Sequence, residues 1–368
     1  MKKTPRPANT PEQEHAVRRE DRVRRTGRRE DRLEVAVDRV VRRGTRVVLV
    51  LMSLLAATLT AMLTGGSADA KVAGDPVSMT SGFYVDPDSN PAVWVRDHAS
   101  DPDATAIRTQ IAEQAGGRWF GNWSGDIQEA VSAYTTAADN ADKLPILVAY
   151  NIPGRDCGGD SSGGAGSPEA YQTWISQFAD GIGDRPAIVI IEPDALAQLD
   201  CIPANVKQTR LDLLKYAVDQ FATKNPNTWA YMDGGNATWI EAGEMASRLQ
   251  AVEVSRIRGF ALNTSNYKTT ADSVAKGNAI RGALNSPAQF VIDTSRNGNG
   301  PDDHNNWCNP PGRKLGDTSR DGSHISGTVD SLLWIKVPGD SDGNCGLGTN
   351  IPAGTFSPML ANHLIAGN

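Results

Sequence analysis

Four aspartates, Asp156, Asp194, Asp233 and Asp342, follow closely on apolar runs in this chain. Carboxyl groups in such a set can divide acid and base work, one donating a proton to a leaving oxygen while another assists water. The sequence carries no His-rich metal cluster, no GxSxG and no phosphate loop, and it does carry several tryptophans. Acid/base chemistry on an uncharged, stackable substrate fits that set, and glycoside hydrolysis is such a chemistry. No cofactor or metal is expected. Trp174 and Trp229 sit inside helix or strand patterns and read as core, whereas Trp119, Trp239 and Trp307 read as loop residues beside polar neighbours.

The element that must position Asp194 is the run Ala187-Ile188-Val189-Ile190-Ile191, which is followed by Glu192-Pro193-Asp194. Its consecutive β-branched residues predict a strand buried on both faces, as in a parallel sheet. In such sheets ligands meet the carboxyl ends of the strands. Further strands are expected at 81–85, 144–150, 228–232, 257–262, 289–292 and 332–337, with a short extended piece at 118–123. Helices are expected at 104–114, 126–139, 167–181, 238–249 and 270–284. A long helix after Cys201-Ile202-Pro203 carries Leu211, Leu214, Val218 and Phe221 at helical spacing. The Gly/Ser run 158–167 is a loop. This alternation of six or seven strands with helices predicts an α/β fold, a parallel barrel in one domain.

Residues 1–70 stand apart. They hold an Arg-rich run to residue 46, an uncharged stretch at 47–63 and Ala68-Asp69-Ala70. That order predicts a secretory signal cleaved after Ala70, with a membrane anchor as the rival because 17 residues is at the short limit for a span. A start near Val41 would make the leader an ordinary length. These residues hold 15 of the 37 basic and nine of the 43 acidic side chains, leaving 22 and 34 in residues 71–368, a net of −12. So acidic a domain is a poor match to nucleic acid. All four cysteines, Cys157, Cys201, Cys308 and Cys345, lie in that part, which points to disulfides with three possible pairings. Cys157 with Cys201 and Cys308 with Cys345 is favoured, since each pair ties two strand-end loops.

The chain resembles the glycoside hydrolase family 6 cellulases across most of residues 75–366. The motifs are Tyr150-Asn151-Ile152-Pro153-Gly154-Arg155-Asp156-Cys157, Ile190-Ile191-Glu192-Pro193-Asp194, Tyr231-Met232-Asp233-Gly234-Gly235-Asn236, Asn306-Trp307-Cys308-Asn309, and Trp334-Ile335-Lys336 through Asp342-Gly343. The resemblance implies an inverting β-1,4-glucanase on a distorted seven-stranded barrel, working as a monomer on β-1,4-glucan. It makes Asp194 the general acid, Asp156 the carboxylate that keeps that acid protonated, and Asp342 the base, acting directly or through a water chain that includes Ser162. It makes Tyr150 the residue that positions a distorted sugar, and Trp119, Trp239 and Trp307 sugar platforms. Asp233, Asn263, Lys336 and Asp340 become substrate-binding positions, and Asn236 is left without a role. Inversion leaves room for water, so acid and base should stand about 6.5–9.5 Å apart. The short Cys308–Cys345 segment favours an open-cleft endoglucanase over an exo-acting cellobiohydrolase, and aspartates at all the proposed acid and base positions speak against an inactive carbohydrate-binding protein. The lack of a linker or separate binding module favours soluble or amorphous glucan.

Overall fold

The computed structural model describes residues 74–368, so the expectations for the leader lie outside the described residues. Seven parallel strands form the sheet: β1 (Gly117–Phe120), β2 (Ile146–Ala149), β3 (Ala187–Ile191), β4 (Thr228–Asp233), β5 (Gly259–Leu262), β6 (Gln289–Asp293) and β8 (Val329–Leu333). They pair in sequence order, and the two-residue β7 (Arg320–Asp321) adds antiparallel to β8. Gly117 N donates to Trp334 O across the remaining gap, bringing the first strand up to the segment after β8. A Cβ at Gly117 would stand 2.6 Å from Ile335 O, so only glycine allows that approach.

The strands are buried on both faces, which is why β3 is apolar throughout. Ile188 and Ile190 join Ile146, Val148, Tyr231, Val291 and Leu333 in a cluster inside the curl. Val189 and Ile191 face outward, among the side chains of the surrounding helices. Those helices are α1 (Asn90–Asp97), α2 (Ala104–Ile107, prolonged by a π turn, Arg108–Ala112), α3 (Ile127–Asn140), α4 (Pro168–Ile182), α5 (Ala204–Lys224), α6 (Ala242–Ala251), α7 (Thr270–Leu284) and α8 (Pro358–Ala366). Several start where side-chain oxygens accept an otherwise orphaned N–H: Asp126 from Glu129, Ser167 from Ala170 and Thr269 from Asp272.

Four local expectations need correction. Residues 81–85 form no strand; Phe83 makes one isolated bridge to Leu144. Trp119 sits in β1, not in a loop. The last strand runs Val329–Leu333 instead of 332–337, because Asp330 and Ser331, which break the apolar pattern, are inside it. Asp330 accepts from Arg258 and Tyr231 there. α6 starts at Ala242, leaving Thr238 and Trp239 in a turn.

Candidate active site

A groove of about 1000 Å³ crosses the carboxyl ends of the strands. Asp194 lines it, three residues past the end of β3. The turn that presents it is strained, with φ of 48° at Glu192 and 69° at Asp194. Buried contacts hold the turn in that shape. The Glu192 carboxylate accepts from Asn151 N and Ile152 N, and Asp194 N donates to Asp233 Oδ1 at 3.0 Å. Asp194 itself is half-buried, and among the described residues no donor reaches its carboxyl. Burial, then the nearby carboxylates of Asp233, Asp156 and Asp342, hold its pKa well above the usual range, against a weaker pull from Lys336.

Asp342 lines the same groove under opposite conditions. Burial alone would raise its pKa, but Arg296 and Lys336 outweigh that and hold it below the ordinary value. Its Oδ2 accepts from Arg296 Nη1 (2.8 Å), Asn309 N (3.0 Å) and Tyr267 Oη (3.3 Å), while among the described residues Oδ1 pairs only with Lys336 Nζ at 3.3 Å. One oxygen is saturated and the other keeps a lone pair for the groove. Asp233, fully buried at the end of β4, is pushed up to about 6 by burial, although the Thr264 hydroxyl and the amides of Asp194 and Gly235 oppose the rise.

The remaining expected residues mostly converge here. Tyr150 and Asp156 follow β2, and Ser161 N donates to Asp156 Oδ2 at 2.7 Å. Burial first, then Asp194 and Asp156, push the Tyr150 phenol upward, and all three residues line the groove. Trp119 packs edge-on against Tyr150 at 5.2 Å, its indole N–H donating to Ile335 O. Trp239 and Trp307 line the groove with exposed rings, 42% and 54% accessible. Ser162, Asn236, Lys336 and Asp340 also line it. Asn263 does not. It is fully buried, its amide donating to Asp293 O and Lys268 O and accepting from Lys268 N, so it shapes the 263–268 loop instead of meeting a substrate.

The cysteines pair as Cys157–Cys201 and Cys308–Cys345. The first bond links the loop after β2 to the segment after Asp194, and the second links the Trp307 loop to the segment after Asp342. On the chain-entropy model each contributes roughly 4 kcal/mol. Asp160, Cys308 and Cys345 are the potential metal-ligand cluster among the described residues, but disulfide sulfurs are not thiolate donors.

Arg296, Tyr267, Asn309 and Asp293 carry roles that the sequence does not announce. The first three hold Asp342. Asp293 accepts from Ser265 N, Ser295 N, Ile335 N and Lys336 N, and so fastens three strand-end loops together. Tyr267, Asp293 and Arg296 belong to the polar clusters ending β5 and β6 and Asn309 to the Trp307 motif, but nothing in spacing says which partner such a cluster serves.

Residues 79–366 match the family model for glycosyl hydrolases family 6. The chain is 49% identical over 323 residues to Endoglucanase 1 of Streptomyces halstedii, a match covering 86% of this chain and 98% of that one. It is 41% identical over 276 residues to Endoglucanase A of Thermobispora bispora, covering 74% of this chain and 60% of that longer relative. Among solved structures it resembles the endoglucanase Cel6 from Mycobacterium tuberculosis in complex with methyl-cellobiosyl-4-deoxy-4-thio-β-D-cellobioside. That likeness has a TM-score of 0.74 and 40% identity, over 80% of this chain and 99% of the other. A curled parallel sheet, a carboxyl-lined groove at its strand ends and a match across nearly the whole described region converge: the chain belongs to glycoside hydrolase family 6.

Proposed function

We propose that this protein is a secreted, monomeric endo-β-1,4-glucanase that cleaves β-1,4-glucan with inversion. The observation that carries the reading is the contrast in one groove between a carboxyl with no donor among the described residues, Asp194, and a carboxylate fixed by two cations, Asp342. Kept protonated, Asp194 gives its proton to the departing glycosidic oxygen. Water attacks the other face of the sugar, and its proton moves toward Asp342. A carboxylate so heavily hydrogen-bonded is a weak base, which favours transfer through a water chain past Ser162 over direct abstraction. Tyr150 positions the distorted sugar, Trp119, Trp239 and Trp307 offer ring faces to flanking units, and Lys336 and Asp340 offer polar contacts; Asp233, expected as a further contact, is fully buried outside the groove wall and holds the Asp194 turn instead.

The named relatives are endoglucanases, and the M. tuberculosis enzyme was solved with a thio-linked cello-oligosaccharide. Both favour internal cleavage of β-1,4-glucan. One contact favours the exo-acting alternative: Asn344 N donates to Asp160 Oδ2 at 3.0 Å, joining the loop that carries Ser162 to the segment that carries Asp342. A groove strapped there would admit chain ends more readily than chain interiors. Two disulfides suit an oxidising compartment, and no helix among the described residues is long and apolar enough to cross a membrane.

Proton NMR of fresh hydrolysate from cello-oligosaccharides tests the stereochemistry: the α-anomer is expected first, and the β-anomer would refute inversion. Viscosity of carboxymethylcellulose followed against reducing ends tests the cutting mode. A steep viscosity loss at few new ends is expected, and slow loss at many ends would favour the exo reading.

A further inference from the structure

Helix α1 begins at the groove, where Asp86, Asp88, Ser89 and Asn90 line the wall. Asn90 Nδ2 donates to Asp340 Oδ2 at 2.9 Å and reaches Gly354 O at 3.3 Å, tying this helix to the segment after β8. Asp340 is 8% exposed, lines the same groove, and its Oδ1 is buried without a hydrogen-bond partner among the described residues. A half-satisfied carboxylate in a binding wall costs free energy that a donor on a ligand can recover, and a sugar hydroxyl is such a donor.

We propose that Asn90 is a positioning residue for Asp340: its side-chain amide holds that carboxyl as a charged acceptor for a sugar hydroxyl in the groove. The inference rests on Asp340 being a sugar contact. The charged groups that weigh on Asp340 are Lys336 and Arg296, which favour its ionised form, and Asp342, which opposes it. Burial outweighs the helpers and lifts the carboxyl to about 7, and the Asn90 amide is the uncharged donor that works against that lift. Without the amide the carboxyl takes up its proton at higher pH, so the acceptor is lost first in acid. A residue that merely fastened α1 would, when replaced, weaken the enzyme equally at every pH.

Asn90→Leu keeps the volume and removes the donor. Its kcat/KM on cello-oligosaccharides, measured across pH, is expected to approach the parent at alkaline pH and fall progressively below it toward acid. The acid limb should move up by about one pH unit, with the change carried by KM. Asn90→Asp, which sets a second carboxyl against the first, is expected to move that limb further in the same direction. Asp340→Asn separates the two readings. If it leaves KM unchanged at every pH, Asp340 is not a sugar contact and the foundation fails. If it raises KM while Asn90→Leu leaves the acid limb in place, or lowers kcat/KM by one factor at all pH values, the role given to Asn90 is overturned.

Discussion

The two sides of the groove hold the same residue type in opposite states. On the β3 side, Asp194 ends a strained turn, its carboxyl accepts no hydrogen bond among the described residues, and it stands near three other carboxyls. On the β8 side, Asp342 is more deeply buried, yet Arg296, Lys336, Tyr267 and Asn309 N all converge on it. Burial raises the pKa of both. Partners decide the outcome, so the proton stays on one aspartate and leaves the other. An acid and a charged acceptor thus arise from one side-chain chemistry, and the difference is built by the groups packed around each carboxyl.

Removing the acid should have the largest effect. Asp194→Ala is expected to lower kcat by roughly 10²- to 10⁴-fold while cello-oligosaccharide affinity, read by calorimetry, stays near the parent value. Unchanged turnover would remove Asp194 from the acid role.

Breaking the other side should act first on stability. Arg296→Met leaves a buried carboxylate without its main cation, at an expected cost of about 3–5 kcal/mol in chemical denaturation. The sign with pH follows from the direction of the shift. Because the folded pKa of Asp342 lies below its unfolded value, its ion pairs contribute stability above the unfolded pKa, and that contribution is lost as pH falls through the folded one. The difference between parent and variant should therefore shrink in acid.

A smaller effect ranks the carboxyls that keep Asp194 protonated. The family resemblance gives that role to Asp156, whereas in the structure Asp233 weighs on Asp194 more heavily. Replacing either neighbour by asparagine should lower the pKa of Asp194, so the alkaline limb of kcat moves to lower pH. The shift should be larger for Asp233→Asn than for Asp156→Asn, and the reverse order would return the role to Asp156. The exposed rings should matter least: Trp239→Ala and Trp307→Ala are each expected to raise KM by roughly five- to ten-fold with kcat little changed.

The acid side of this contrast was far more legible in the sequence than the base side. A β-branched run closed by Glu192-Pro193-Asp194 announces a buried strand with a carboxyl at its tip, because side-chain pattern and local geometry coincide there. The alternation of strands and helices was readable for the same reason. The clamp on Asp342 was not, because Tyr267, Arg296 and Asn309 come from three loops 75, 46 and 33 residues away, and only the closed sheet brings them together. The displaced last strand shows the converse. Asp330 and Ser331 look like a break in an apolar run until Arg258 and Tyr231 arrive as partners for the aspartate. Helix α1, with Asn90 at its start, is absent from the elements expected from the sequence because its few apolar residues make no sustained stripe, and it is held by packing of Val95 with Ile107 and Trp334.

Titrating the two side chains directly tests the central contrast. With ¹³C-labelled aspartate in the ligand-free enzyme, signals assigned by Asp194→Asn and Asp342→Asn would be followed across pH. At about pH 6, well above the ordinary aspartate value near 4, the account predicts a protonated carboxyl at Asp194 and an ionised one at Asp342. Finding both ionised at that pH would contradict it.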